Sequence, residues 1–224
     1  MAQAILETVF DVIYLVGVIS AGFVMATRGA KNPLVKKFGL MAVLLGAGDA
    51  FHLVPRMIAL WTTGLEANAA ALGIGKLITS VTMTVFYLIL YTIWRERYHI
   101  QGRKGLTYTM WGLTAARVAL SLLPQNDWLN YYQPLSYGIL RNIPFAVMGV
   151  LIIILFAQEV KKAGDRVFRF MAPAVLLSFG FYIPVVLFGN IIPPIGMLMI
   201  PKTLAYVWIV QMGWTLYKQT PKAI

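Results

Sequence analysis

Seven predominantly apolar stretches run along the chain, at about 5–26, 38–61, 74–94, 105–123, 135–158, 168–188 and 196–217. Short polar segments separate them. A helix needs about 20 mostly apolar residues to cross a hydrocarbon core about 30 Å thick, and each stretch is close to that length. Backbone polar groups must be satisfied within lipid, which favours helices. The runs lack the alternation of barrel strands and are too long for them. The pattern predicts an all-α integral membrane protein: one polytopic domain over residues 1–224, folded as a seven-transmembrane helix bundle. No basic segment precedes the first apolar run, "MAQAILETVFDVIYLVGVISAGFVMA", so that run reads as a retained span rather than a cleaved signal peptide.

The polar segments set the expected orientation. Fourteen of the nineteen Lys and Arg residues fall in 27–37, 95–104, 159–169 and the C-terminal tail. The alternate segments, 1–4, 62–73, 124–134 and 189–195, contain none. The positive-inside rule then puts the N-terminus outside and the C-terminus in the cytoplasm of a cell membrane. An odd number of spans agrees with that split.

Composition supports the membrane class. Hydrophobic residues make up 59% of the chain and charged ones only 12%, against about a quarter charged in soluble domains. The net charge of +11 does not read as a nucleic-acid footprint, because the basic clusters sit in short loops at one membrane face, where they set topology and meet anionic lipid. With no cysteine, disulfides, iron–sulfur clusters and thiol nucleophiles are excluded. No cofactor is expected.

"FGLMA" (38–42) and "FRFMA" (168–172) match at an offset of 130, which pairs Asp11 with Arg141 and His52 with Tyr182. Helices 1–3 would then recur as 5–7, with helix 4 as the linker, the parallel-repeat plan of some transporters. In topology alone, this 3+1+3 layout with its N-terminus outside resembles the sugar-transporter, PQ-loop and KDEL-receptor group, and also the microbial rhodopsins. No family-specific motif accompanies it: "LPQN" (123–126) follows helix 4, where a PQ-loop motif does not belong.

The informative chemistry is the charge left inside the spans. Arg56, Lys76, Arg117, Arg141 and Lys202 all lie toward the predicted outer ends. All but Lys76 are five or six residues in, roughly 8–9 Å deep at 1.5 Å per residue. Asp11 falls at the same depth, His52 near the midplane and Asp49 slightly beyond it. Intramembrane charges usually face the bundle interior and pair, yet this count sets two acids, Asp11 and Asp49, against five bases. Snorkelling to headgroups is the alternative, and it fits Lys76 best. Helix faces support an interior layer: Asp49, His52 and Arg56 share one face of helix 2, while Lys76, Ser80, Thr84, Tyr87 and Tyr91 share one face of helix 3. Thr114, Arg117 and Ser121 do the same on helix 4, and Lys202 with Tyr206 on helix 7. Prolines 55, 144, 173, 184 and 201 within spans each free a backbone carbonyl.

The expected site is an outward-facing cationic pocket made by Asp11, Asp49, His52, Arg56, Ser80, Arg117, Arg141, Lys202 and Tyr206. Its expected ligand is a small anionic or lipid-like molecule, since Arg favours bidentate anion recognition; Asp49 and His52, deeper in, suit gating or proton coupling, because histidine ordinarily titrates near neutral pH. Transport is the first reading, and outward sensing the second. A lipid-modifying enzyme using Asp49 and His52 is the rival. A zinc site would need three protein ligands, and the chain has only two histidines, so no metal is expected. Lys202 invites a retinal Schiff base, but it lies near the outer end, and helix 3 lacks the acid and arginine of the ion-pumping rhodopsins.

Overall fold

A computed structural model describes residues 2–29, 31–189 and 191–220, apart from the side chains of residues 2, 3 and 193. Lys222, one of the fourteen clustered basic residues, lies outside them. All regular structure among the described residues is helical. The α-helices are α1 (Ala2–Arg28), α2 (Pro33–Trp61), α3 (Ala69–Arg97), α4 (Lys104–Leu122), α5 (Leu135–Ala163), α6 (Met171–Phe188) and α7 (Met199–Gln219). Short 3-10 turns at Glu66–Asn68, Pro124–Asn126 and Pro193–Leu198 lead into α3, α5 and α7. Six of the seven helices are long and apolar enough to cross a membrane, and α4 is not among the six. Its 19 residues include three threonines, Arg117 and Ser121.

Most helices extend past the predicted apolar stretches, because polar residues continue a helix once it leaves the apolar layer. Asn32 caps α2 by accepting from the Leu34 and Val35 amides, with Pro33 at the first helical position. Gly164, at φ +62°, ends α5 in the left-handed conformation that glycine adopts freely. Helix α6 starts at Met171 rather than 168, because the Asp165 carboxylate accepts from the Val167 and Phe168 amides and turns the chain there. Prolines 55, 144 and 184 are interior to their helices. Pro173 and Pro201 fall in first turns, where no amide donor is needed and no kink follows.

Each helix packs on its neighbours in sequence, and α7 closes the ring against α1 and α2. Helix α3 also packs on α5 and supplies the largest buried side chains, including Phe86, Tyr87, Tyr91 and Trp94. The Trp94 indole donates to the Leu155 carbonyl of α5 at 3.1 Å. Large exposed side chains such as Ile13, Val16 and Phe23 are apolar, an exterior suited to lipid. Helices α1 and α2 approach most closely at Gly22 and Gly39: a Cβ on Gly39 would sit 2.3 Å from the Ala26 amide and 2.7 Å from the Gly22 carbonyl.

The end of the bundle without Lys or Arg in its loops is roofed by the α4–α5 connection. The Asn126 amide donates to the carbonyls of Leu120, Ser121 and Leu123, satisfying the end of α4. The Trp128 indole donates to the Ser121 carbonyl at 2.8 Å. The Trp128 carbonyl lies so close to Gly73 of α3 that a Cβ there would be 1.4 Å away.

The basic end is tied differently. Lys37 pairs with Glu96. Arg97 donates to Asp165 at 2.9 Å, and so does the Tyr98 hydroxyl at 3.1 Å. Burial alone would raise the Asp165 carboxyl, but the Arg97 hydrogen bond and charge, with the two amides, hold it below the usual carboxylate range. Burial, and then the Asp165 charge, raises the Tyr98 phenol. A carboxyl depressed in the folded state adds stability that is present above its unfolded value and is lost as pH falls through the folded value. Melting curves of the purified protein from pH 7 to pH 3 are expected to show this loss below about pH 4. Asp165→Asn should be less stable than wild type at pH 7, with a flatter profile over the acid range.

Candidate functional site

The polar side chains of the half of the bundle under the Asn126–Trp128 roof form a layer across it. On α1, Glu7, Asp11 and Tyr14 follow at spacings of four and three, on one face. They meet the Asp49–Arg56 face of α2. Arg56 grips Glu7 with two bonds, Nε to Oε2 at 2.9 Å and the second nitrogen to Oε1 at 3.2 Å. The Tyr14 hydroxyl donates to Asp49 Oδ2 at 2.6 Å. Asp11 is buried between these pairs, within electrostatic reach of Glu7, Arg56 and Asp49.

Lys202 of α7 comes next. It is 8% exposed and lies within electrostatic reach of Asp49. Its Nζ is 4.8 Å from the Tyr182 ring centroid and 5.5 Å from that of Tyr206, so aromatic faces shield the ammonium. Beyond it, the Tyr87 and Ser178 hydroxyls are 3.2 Å apart, with Tyr206 beside them.

Arg117 of α4 stands on the far side of this group. It is 2% exposed, and its guanidinium carbon lies 3.4 Å from the Phe145 ring centroid. Tyr182, Tyr206, Arg141 and Tyr87 are its electrostatic neighbours. The ring covers one face of the guanidinium but leaves the in-plane N–H groups to find acceptors. Two of them, on Nε and Nη1, are buried with no hydrogen-bond partner among the described residues, and so is the Ser121 hydroxyl one turn along α4. Arg141 is held by the roof: it donates to Asn126 Oδ1 at 2.7 Å and lies 4.3 Å from the Trp128 ring centroid.

The layer thus gathers Asp11, Asp49, Arg56, Lys202, Tyr206 and Arg117, with Arg141 at the roof. Two expected members are tied to α3. The His52 Nδ1–H donates to the Leu72 carbonyl of α3 at 3.2 Å, so the ring fastens α2 to α3 while lying within electrostatic reach of Arg56 and Lys202. The Ser80 hydroxyl donates to the Lys76 carbonyl of its own helix at 2.9 Å, and Lys76 is exposed. The α3 stripe is packed along much of its length: Thr84 bonds back to Ser80, and Tyr91 pairs with Thr107.

Sequence reasoning missed Glu7, which raises the acids of the layer from two to three. It stands so near the start of the first apolar stretch that it counts as an end residue, yet its spacing to Asp11 and Tyr14 signals a shared face. Phe145 gave no sequence signal, because an aromatic under a guanidinium looks like any core phenylalanine. Models of known protein families, curated proteins and solved structures were compared with this chain, and none matches it.

Removing the Glu7 charge orphans Arg56. Fully buried pairs lose about 3–5 kcal/mol when one partner goes. Arg56 is 26% exposed, so screening discounts the loss, and Glu7→Gln is expected to cost roughly 1–3 kcal/mol in denaturant unfolding from mixed micelles. The double variant Glu7→Gln/Arg56→Gln should lose less than the sum of the two singles. Additive losses would mean that the pair is not coupled.

Proposed function

We propose that the protein spans the membrane seven times, with its N-terminus outside and its C-terminus in the cytoplasm, and that it binds a small anion at Arg117 and carries it across. The observation that carries the binding reading is the buried guanidinium with two unpartnered nitrogens. A charge sealed from water costs several kcal/mol unless it is paired and hydrogen-bonded, and an oxyanion supplies both at once. The acids of the layer sit on α1 and α2, so Arg117 and Arg141 have no carboxylate of their own.

What supports a seventh span is the way α4 divides its faces. Thr114, Arg117 and Ser121 are buried, whereas Tyr108, Trp111 and Leu122 face outward. This is the reverse of a soluble helix and suits lipid outside. The orientation rests on the one-sided basic residues. Support for a 3+1+3 duplication comes from its matched words: Phe38 and Phe168 are both fully buried and touch, with ring centroids 5.5 Å apart, and Met41 and Met171 are both fully buried.

The cysteine-free chain allows a direct topology test. Gln101→Cys and Asn130→Cys flank α4 at exposed positions. A membrane-impermeant maleimide applied to intact cells is expected to label the Asn130 variant at once and the Gln101 variant only after permeabilisation. Labelling of both from one side would remove α4 from the spans, and the opposite pattern would invert the orientation.

For the anion, melting of the purified protein is followed against sodium acetate, benzoate and phosphate at constant ionic strength. At least one is expected to stabilise it saturably, by up to about 2.7 kcal/mol at a hundred times its Kd. Arg117→Gln should abolish the response, and Arg117→Lys should retain part of it. Proteoliposomes should then take up that anion. Stabilisation without uptake would make the protein an outward sensor. Lipid turnover lost in His52→Ala would make it an enzyme. No response to any of the three would mean that water satisfies Arg117, and the binding reading would fall.

A further inference from the structure

A groove of about 150 Å³ opens between α5 and α6 on the outside of the bundle. Its walls include Ile143, Ala146 and Ile183, and Ile143 and Ile183 are 53% and 47% exposed. Its floor is Phe145 and Tyr182, and both rings carry a cation at short range: Arg117 against Phe145 and Lys202 against Tyr182. Asn142 is the other polar side chain of the groove, and its Oδ1 accepts from the Tyr182 hydroxyl at 3.0 Å, bridging the two helices. An apolar surface groove therefore meets, through one layer of rings, the two most deeply buried cations of the polar layer.

Access from elsewhere is poor. The roof of Asn126 and Trp128 closes the outer end of α4, and the packed Tyr91 and Trp94 fill the bundle toward the basic end. The groove walls are the yielding part. Pro144 in α5 and Pro184 in α6 each remove a helix hydrogen bond at the level of the groove, and the Tyr182–Asn142 bond can exchange for a bond to a ligand.

We infer that the ligand is a single-chain amphiphile with a carboxylate head, of the free fatty-acid type, that enters sideways from the outer leaflet between α5 and α6. This rests on the anion reading of Arg117 above. The carboxylate takes the unpartnered guanidinium nitrogens, with Lys202 beside it, and the chain lies in the groove. Phe145 and Tyr182 turn aside to admit the head. An apolar cavity of about 150 Å³ holds a benzene-sized group, so the groove takes only the first part of a chain, and its open side leaves the rest in the bilayer. A two-chain phospholipid fits less well. Phe145 lies ten residues into α5, about 15 Å along it, and a glycerol headgroup would have to descend that far.

The test is saturable binding of tritiated dodecanoate to the protein in phosphatidylcholine nanodiscs, alongside stabilisation by acetate, which carries the head alone. Dodecanoate is expected to bind and dodecanol not to compete. Ala146→Phe fills the groove, and Ile143→Trp crowds its lipid-facing mouth, where folding has least at stake. Each is expected to weaken dodecanoate binding about tenfold, equivalent to excluding roughly two methylenes, while acetate stabilisation persists. Arg117→Gln should lose both responses. Wild-type dodecanoate binding in both groove variants would overturn lateral entry. Stabilisation by phosphate but not by acetate or dodecanoate would overturn the ligand class, and equal competition by dioleoyl phosphatidylglycerol would make the occupant a phospholipid. In those three cases the anion reading survives. Loss of every anion response would bring down that reading as well.

Discussion

A charge carried into a helix bundle must be answered inside it, and the two halves of this bundle differ in how they answer. On the α1–α2 side the partners are ions and hydroxyls: Glu7 for Arg56 and Tyr14 for Asp49. On the α4–α5 side the described residues place no carboxylate in the layer, and the cations rest on rings, Arg117 on Phe145 and Arg141 on Trp128. A ring stabilises a cation by its face alone. It cannot accept the in-plane hydrogen bonds of a guanidinium, so ring burial leaves donors free where carboxylate pairing does not. The polarity of the layer, acids at one side and uncompensated cations at the other, follows from where four bases and three acids fall among the helices.

The seven α-helices of the described residues were legible in the hydrophobic pattern, and the helix ends were less so. Apolar length shows where lipid contact is affordable but not where hydrogen-bonded turns stop, so α1, α3 and α5 run past the predicted stretches while α6 starts late behind the Asp165 turn. Helix α4 shows a different limit. Its polar residues keep it out of the six helices apolar enough to cross a membrane, although Thr114, Arg117 and Ser121 cluster on one buried face.

The layer itself was partly legible. Charge at a common depth on different helices pointed to Asp11, Arg56, Arg117, Arg141 and Lys202, with Asp49 deeper on the face it shares with Arg56; Asp11, Arg56 and Asp49 lie within electrostatic reach of one another or of Lys202, and Arg117 of Arg141. Partner identity was not legible, because it depends on helix rotation and on which neighbours touch. His52 illustrates this. It shares a face with Asp49 at i, i+3, yet that face is wide enough for Asp49 to meet Tyr14 of α1 while His52 reaches Leu72 of α3. Gly46 and Gly48 divide likewise, one against Ile19 of α1 and the other against Thr82 of α3. Helix α2 is a wedge with a different partner on each flank, and no periodicity assigns the flanks.

The same contrast decides where the bundle can move. Helices α1 and α2 are held by backbone approach at Gly22 and Gly39 and by a two-bond ion pair. Helices α5 and α6 share no ion pair among the described residues. Each is interrupted by an interior proline, and a single neutral hydrogen bond spans their groove. Neutral hydrogen bonds are each worth only about 1 kcal/mol net, and ring contacts re-form after small rotations because they lack strict direction. Any opening of the polar layer therefore costs less between α5 and α6 than between α1 and α2, and Arg117 keeps its unpartnered nitrogens on the former side.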